Sequence, residues 1–595
     1  MLRRSSQVKD KLSTHFGSRL SNGEGVLQLA LLGLLSGIGT GGVILLFRSA
    51  IEWPLEHFLP GADSEAFEQL GHVARMLLPL AGAVGLGLLL HFLSVSDRRV
   101  GVAHVMHRLN YHQGYIQLRG AVIQFLLGVG TVITGQSAGR EGPAVHLGAA
   151  FSSQLGQWLR LPNNSIRTLV ACGVAAAIAA SFDTPIAGVI FAMEVVMMEY
   201  TIGVFTPVIL AAVSAAVLTR AVYGAEPAFE VPLVTLQSLL ELPWILLVAA
   251  LIGVAAALFI QLIEAAGRFD HRPILLRLLM AGLFMVPFAL LVPEVMGIGY
   301  DTVEQTINGQ LALWVLLGVG LAKLVATGVS VGLGMPSSII GPTLVTGATL
   351  GGALGLVGAA LMPEQASTVG FYAMLGMGAM MGAVLQAPLA ALMALLEFTH
   401  NPHIIMPGML AITVASLVTS EVFGKKAVFQ SMLKAQGLSY DASPVTQALR
   451  RVGVGAIMEC SVKVAPRMLE GESIAGLLAA GTRWVLVEGS KGPVSLLLTA
   501  DLARFVEQRE SEARERGEPA AVEAAVDLMA IPAKRQDVSA VSYQATLEEA
   551  LQTFERTGAE VLYVRQYLSY GIVRIAGVLH RADIDSYYQA GVVRV

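Results

Sequence analysis

Between residues 25 and 420 the chain carries eight apolar segments near the roughly 20 residues that a membrane-spanning helix needs. They lie at about 25–48, 74–94, 119–134, 204–222, 240–265, 273–293, 311–333 and 403–420. A backbone inside lipid must satisfy its own hydrogen bonds, and segments of this length do so as helices. Four further apolar stretches, 137–156, 168–198, 334–360 and 370–398, are interrupted by Gly and Pro. Interruption at membrane depth is tolerated where a segment is buried in protein or lines a cavity. These four are therefore expected to be broken helices rather than simple spans. Glycine runs such as Gly33, Gly37 and Gly41 predict close helix packing and need no further role.

The charge distribution divides the chain. Charged residues are 14% of the whole, with 39 basic and 43 acidic, and 37 of them fall in residues 441–595. The first 440 residues read as a membrane domain in a lipid bilayer and the remainder as a soluble one. A net charge of −4 leaves no basic footprint for nucleic acid. Cys172 and Cys460 imply no disulfide framework. Residues 1–24 are polar, with Arg3, Arg4, Lys9, Lys11 and Arg19 against Asp10 and Glu24. Such a segment is no signal peptide, and its basic flank predicts a cytoplasmic N-terminus, with the charged C-terminal region on the same side. The boundaries expected are an N-terminal segment at 1–24, a membrane domain at 25–436 and a linker at 437–454. Two small α/β units follow, at 455–510 and 525–595.

A repeat organises the membrane domain. Residues 139–156, GREGPAVHLGAAFSSQLG, match 338–355, SIIGPTLVTGATLGGALG, at an offset of 199, with Gly142/Gly341, Pro143/Pro342 and Gly148/Gly347 coinciding. The 170–194 region matches 373–397 at an offset of 203, pairing Gly173/Gly376, Pro185/Pro388 and Glu194/Glu397. Two matched blocks in one order predict a duplicated unit, with halves at about 25–200 and 204–422. Duplicated transporters place their sites near the midplane, where broken helices of both halves meet.

Glu141 stands out, an ionisable side chain at the start of a helix inside an apolar, repeated region. Intramembrane acids are costly and are candidate functional sites by default. Pro143 suits the first turn of a helix, and the free N–H groups of that turn favour an anion. A tethered carboxylate there could occupy the anion site itself as a plug that a proton neutralises. The competing structural reading is a buried ion pair with Arg140. Gly135, Ser137 and Gly139 also fit G-x-S-x-G, but that motif needs a strand–turn–helix context, whereas an apolar membrane helix precedes it here. The chain is therefore not expected to be an enzyme.

GREGP at 139–143, with LVACGVAAAIAASFDTPIAGVIFAMEVVM at 169–197 and GLGMPSSIIGPTLVTGATLG in the second half, resembles the CLC family of chloride channels and chloride–proton antiporters. The resemblance implies an all-α polytopic membrane domain, an inverted repeat of tilted, broken helices, with one anion pathway per subunit of a homodimer. It makes Glu141 the gate. It makes the amides of Arg140, Glu141 and Gly142, ahead of Pro143, an outer anion site, and those of Ile339 and Ile340 part of a central one. The two C-terminal units resemble a cytoplasmic α/β CBS pair, which in other proteins binds adenine nucleotides. Asp501 and Asp583 take the place of the ribose aspartates, while Leu498 and His580 replace the preceding hydroxyl.

Departures from the family pattern shape the functional expectation. The signature G-S-G-I-P aligns with Arg99-Val100-Gly101-Val102-Ala103, so the coordinating serine is Val100. Phe429 takes the place of a tyrosine and lacks its hydroxyl, and Ile340 replaces a phenylalanine. Losing a hydrogen bond to a charged group costs roughly 1.5–3 kcal/mol, so central chloride binding is expected to be weak or selectivity altered. On the proton pathway, Glu141 and Glu194 are present, but the second internal acid is Val195, with Glu199 a substitute on the same helix face. Glu194 also has a structural reading, since Glu397 is its repeat equivalent. The expectation is a chloride channel or weakly coupled transporter gated by Glu141. The alternatives are anion/proton antiport and carriage of bicarbonate, nitrate or fluoride. No metal site is expected, and no cofactor beyond an adenine nucleotide on the CBS pair. His104, His107, His112 and His146 cluster near the pathway as polar packing groups or a pH sensor.

Overall fold

The computed structural model describes residues 20, 25–60, 64–200, 202–224, 229, 236–438, 444–490, 492–516, 525–567 and 573–593. It divides into two compact units. One comprises Leu27–Leu159 and Ile166–Tyr440, the other Met1–Val26, Arg160–Ser165 and Asp441–Val595.

The first unit is helical. Its first half holds α1 (Val26–Phe58), α2 (His72–His91), α3 (Gly101–Tyr111), α4 (Leu118–Ile133), α5 (Glu141–Trp158), α6 (Asn163–Phe182), α7 (Pro185–Phe191) and α8 (Ile202–Tyr223). Its second half holds α9 (Leu242–Gly267), α10 (Ile274–Leu291), α11 (Tyr300–Ile307), α12 (Leu313–Gly332), α13 (Ile340–Leu361), α14 (Val369–Leu385), α15 (Pro388–Thr399) and α16 (Ile405–Leu417), and α17 (Val428–Ala435) follows. Among the described residues, nine helices are long and apolar enough to cross a membrane. The chain is an integral, multi-pass membrane protein.

Matched positions of the two halves share backbone irregularities. Gly135 and Gly334, 199 apart, both adopt positive φ at the breaks before α5 and α13. Asp183 and Gln386, 203 apart, take left-handed φ of 58° and 52° just before the prolines that open α7 and α15. Gly139 and Ser338 form a two-bond antiparallel bridge, both N–H···O distances 3.1 Å. The equivalent breaks thus meet face to face.

Each of the four stretches expected to be broken holds a break, and the helices beside the breaks are continuous. α6 and α13 run unbroken for 20 and 22 residues. The glycines of α13 are a contact face rather than a break, since a Cβ on Gly347 would lie 2.3 Å from the carbonyl oxygen of Gly376 on α14. Gly148 meets Gly173 between α5 and α6 in the same way, also at 2.3 Å. The matched glycines therefore bring the paired helices into backbone contact. The actual breaks fall ahead of the residues that start α5, α7, α13 and α15.

The second unit is α/β. A six-stranded sheet has the order β1-β3-β4-β6-β7-β8, formed by Val462–Pro466, Trp484–Gly489, Gly492–Leu498, Gln536–Ser542, Val561–Tyr567 and Val573–His580. The short β2 (Met468–Leu469) and β5 (Val526–Asp527) pair separately. β1 pairs parallel with β3, and β6 with β7, each across a helix, while β3–β4 and β7–β8 are antiparallel. The crossover helices are α19 (Gly471–Ala479) and α21 (Leu547–Thr557), after α18 (Pro444–Arg450), and α20 (Thr499–Arg516) and α22 (Arg581–Val593) close the two repeats. A Thr546/Glu549 capping box starts α21 and Gly558, at φ +66°, ends it. Each repeat buries its own apolar cluster, one around Val485, Val487 and Leu502, the other around Phe554, Leu562 and Leu579.

Candidate functional site

Glu141 is the first residue of α5 and is fully buried. Its carboxylate leaves its own helix and lies at the start of the repeat-equivalent one. Oε2 accepts the backbone N–H of Gly341, at 3.1 Å, in the first turn of α13. Oε1 accepts the hydroxyl of Tyr300, the first residue of α11. The first turns of α5 and α13 leave N–H groups without intrahelical partners, and Pro143 and Pro342 sit at the third position of each, where the missing N–H costs nothing. Glycines make room for the carboxylate: a Cβ at Gly139 would stand 2.3 Å from Oε2, and one at Gly341 would stand 3.2 Å from both carboxylate oxygens.

Arg140 does not pair with Glu141. Its guanidinium turns to Glu52 at 2.9 Å, and Glu52 also receives Arg48 at 2.5 Å. These three groups line a cavity of about 430 Å³ that also reaches Asp183, Arg220, Glu65 and Tyr300. Arg220 pairs with Asp183 at 2.8 Å on its wall. Arg140 and Tyr300 are among the residues that line it, and Glu141 is not.

Tyr300 was not singled out in the sequence, nor were its supports. Glu65 caps the start of α11, with one oxygen accepting the N–H of Tyr300 at 2.6 Å and of Asp301 at 3.2 Å. Lys323, fully buried in α12, donates to the carbonyls of Val295 and Gly297 at 3.0 and 2.9 Å and so holds the turn that leads into α11. A lone cation in an apolar span is a readable signal for Lys323. Tyr300 had none, because its partner lies 159 residues away.

The residues at 100–102 meet different partners. Val100 packs against an apolar cluster formed by α2, α4 and α10. The Gly101 N–H at the start of α3 donates to Gln124 Oε1 at 2.7 Å, with His146 Nδ1 at 3.3 Å. Val102 is buried. Ile339 and Ile340 are buried at the start of α13, where the Ile340 N–H donates to Ser338 Oγ at 3.1 Å. Gly142 faces Ser338, with no room for a side chain beyond close contact.

A second cavity, about 410 Å³, is lined by Phe429, Glu194, Val195, Met106, Lys425 and Lys426, among others. Glu194 accepts the N–H groups of Leu389 and Ala390 at the start of α15, at 3.3 and 2.7 Å. Glu397 does the same for Ile186 and Ala187 at the start of α7, at 2.9 and 2.7 Å. The two repeat-related acids thus cap each other's neighbouring helix. Glu199 is nearly buried, and its N–H donates to the Met193 carbonyl at 3.1 Å. The imidazoles of His146 on α5, His104 and His107 on α3 and His112 just after it follow one another with centroids 5.1, 6.2 and 5.1 Å apart. Ser137 of the G-x-S-x-G phrase is buried against Thr327, their hydroxyls 2.8 Å apart.

In the α/β unit, Asp583 accepts the His580 N–H at 2.8 Å and so caps α22. Asp501 lies 3.7 Å from Arg504. Among the described residues no group of three or more His, Cys, Asp and Glu could hold a metal ion.

The profile of the voltage gated chloride channel family matches residues 81–420. The putative chloride channel protein ClcB-like of Ralstonia nicotianae is 32% identical over 418 residues, spanning 68% of this chain and 96% of that protein. The H(+)/Cl(-) exchange transporter ClcA of Vibrio cholerae is 28% identical over 426 residues, spanning 70% of this chain and 91% of that protein. The crystal structure of a eukaryotic CLC transporter shares the fold at a TM-score of 0.57 and 19% identity, across 94% of this chain and 98% of that one. A duplicated helical unit, facing helix starts with a carboxylate between them, and a family match across both halves agree: the chain belongs to the voltage-gated chloride channel, or CLC, family.

Proposed function

We propose that the chain moves chloride or another small inorganic anion across a lipid bilayer through a pathway gated by Glu141. One observation carries this reading. The Glu141 carboxylate sits on the N–H of Gly341 at the start of α13, the place a helix start offers to an anion. A carboxylate there competes with a transported anion until a proton neutralises it. The test is anion flux from vesicles loaded with the full chain across a pH series. Glu141→Gln should give flux that no longer varies with pH; unchanged pH dependence would refute the gate.

Coupling to protons is weak in this reading. Val195 offers no carboxylate, and Glu194 is committed to the start of α15. Coupled antiport is the second reading, supported by relatives that are exchange transporters by name. A chloride gradient with a pH electrode separates the two, since stoichiometric uphill proton movement would establish antiport. Bicarbonate, nitrate and fluoride are the competing cargoes, and ion-competition flux would rank them. The chain acts as a homodimer with both termini cytoplasmic. Its α/β unit is a CBS pair whose adenine-nucleotide site would use Asp501 and Asp583. Thermal shift with ATP, ADP and AMP tests this, and no shift with any of them favours a purely structural unit.

A further inference from the structure

Two donors converge on the Glu141 carboxylate, the Gly341 N–H on one oxygen and the Tyr300 hydroxyl on the other. When the carboxylate leaves, both donors would be stranded in a buried place, and an unpaired buried donor is costly. An anion of a few ångströms' diameter satisfies both at once. Gly341 keeps the two donors close together, since a methyl group there would lie only 3.2 Å from the Tyr300 oxygen.

The hydroxyl is also fixed in advance. Glu65 caps the Tyr300 and Asp301 amides, and Gly299 supplies the left-handed turn, φ +86°, that starts α11. Lys323 ties down the carbonyls of Val295 and Gly297 on the approach. The Tyr300 ring stands edge-on to Phe229, centroids 5.5 Å apart, with Phe182 at 6.1 Å and the Arg140 guanidinium 6.0 Å from the ring centroid. Tyr300 also lines the 430 Å³ cavity while its hydroxyl reaches the buried Glu141, so the residue links the cavity to the site. The charged groups around it are Glu141, Arg140, Glu65, Asp301 and Lys323. A donor held rigidly toward a place where negative charge arrives needs no reorganisation when it comes.

We propose that Tyr300 is an anion ligand of this pathway: its hydroxyl holds Glu141 when the site is shut and donates to the anion when the carboxylate has left. The proposal rests on the anion pathway proposed above, with Tyr300 as a residue added to it. The decisive comparison removes Glu141 first, because a tyrosine that only latches Glu141 has no role without it. Chloride binding to purified full-length protein would be measured by calorimetry for E141A and for E141A/Y300F. The double variant should bind chloride about tenfold more weakly or worse, as expected for one lost hydrogen bond to a charged group. Equal affinities would overturn the proposal and leave the gate untouched. If E141A itself bound neither chloride, fluoride nor nitrate, the pathway reading would fail instead. Should the double variant not fold, E141Q and E141Q/Y300F in vesicles serve. The half-saturating chloride concentration should rise about tenfold from the first to the second, and an unchanged value would count against Tyr300 as a ligand.

Discussion

Gly139→Ala should force the gate open without touching any charge. The added methyl would stand 2.3 Å from Glu141 Oε2, a separation no real Cβ tolerates, so the carboxylate must leave its seat. Leaving forfeits the hydrogen bonds from Gly341 and Tyr300. Each such bond to a charged group contributes about 1.5–3 kcal/mol, so the shut state loses about 3–6 kcal/mol. Moving a two-state balance from 1:99 to 99:1 takes about 5.5 kcal/mol, so most of the shut population should disappear. In reconstituted vesicles the wild type should conduct more as pH falls, and G139A should sit near its ceiling across the range. The same methyl approaches Pro342 Cδ and Ser338 Cβ at 3.0 Å, which could disturb the loop instead. A double-mutant cycle with E141A separates the two effects. If the methyl acts only by evicting the carboxylate, G139A changes nothing in an E141A background. An equal change in both backgrounds, or wild-type pH dependence in G139A, would refute the reasoning.

Lys323→Met leaves the carbonyls of Val295 and Gly297 without their donor; at about 1–3 kcal/mol per unpaired buried group, the melting temperature in detergent should fall clearly, and an unchanged value would contradict the role given to Lys323. Glu194→Gln and Glu397→Gln should lower stability by similar amounts, because each carboxylate caps one repeat-related helix; a change in proton coupling from E194Q alone would restore Glu194 to a proton pathway. Phe429→Tyr adds a hydroxyl on a residue that lines the 410 Å³ cavity and should tighten chloride binding about tenfold by calorimetry; no gain would mean that hydroxyls there do not limit affinity. In the α/β unit, the Arg467 hydrogen bond holds the Asp527 carboxyl below its ordinary value of 3.8. That contribution to stability is present above 3.8 and is lost as pH falls through the lowered value, so Arg467→Ala should flatten the acid limb of an unfolding curve, and an identical limb would argue against the pair.

The parts of the site built from backbone were legible in the sequence, and the parts built from distant side chains were not. The Gly-Pro pairs Gly142-Pro143 and Gly341-Pro342 announce a helix start with free amides, and α5 and α13 each begin one residue before them. Glycine count alone does not place a break: the 334–360 stretch breaks before Ile340, while the glycines inside α13 pack on α14 and leave that helix continuous. Whether a glycine breaks a helix or lets another helix approach depends on what lies opposite, which local sequence does not encode. The ion partners of Arg140 were hidden for the same reason. Glu141 is adjacent in sequence, but Glu52, 88 residues away, is adjacent in space.

The duplication separates structural polar groups from working ones. An acid kept in both halves, as Glu194 and Glu397 are, performs one task twice, capping the helix across the repeat interface. An acid kept in only one half cannot be explained that way. The position equivalent to Glu141 is Ile340, and the Glu141 carboxylate reaches across to the N–H just after it. A similar asymmetry marks α4 and α12, where Gln124 and Lys323 stand 199 residues apart. Gln124 takes up the leading N–H of α3, whereas Lys323 holds the turn before α11 through its carbonyls. The first arrangement uses up a helix start internally. The second leaves Tyr300 directed at Glu141. A duplicated scaffold alone would give two equivalent half-sites, and these unequal side chains make them different, which is what the proposed gate at Glu141 requires.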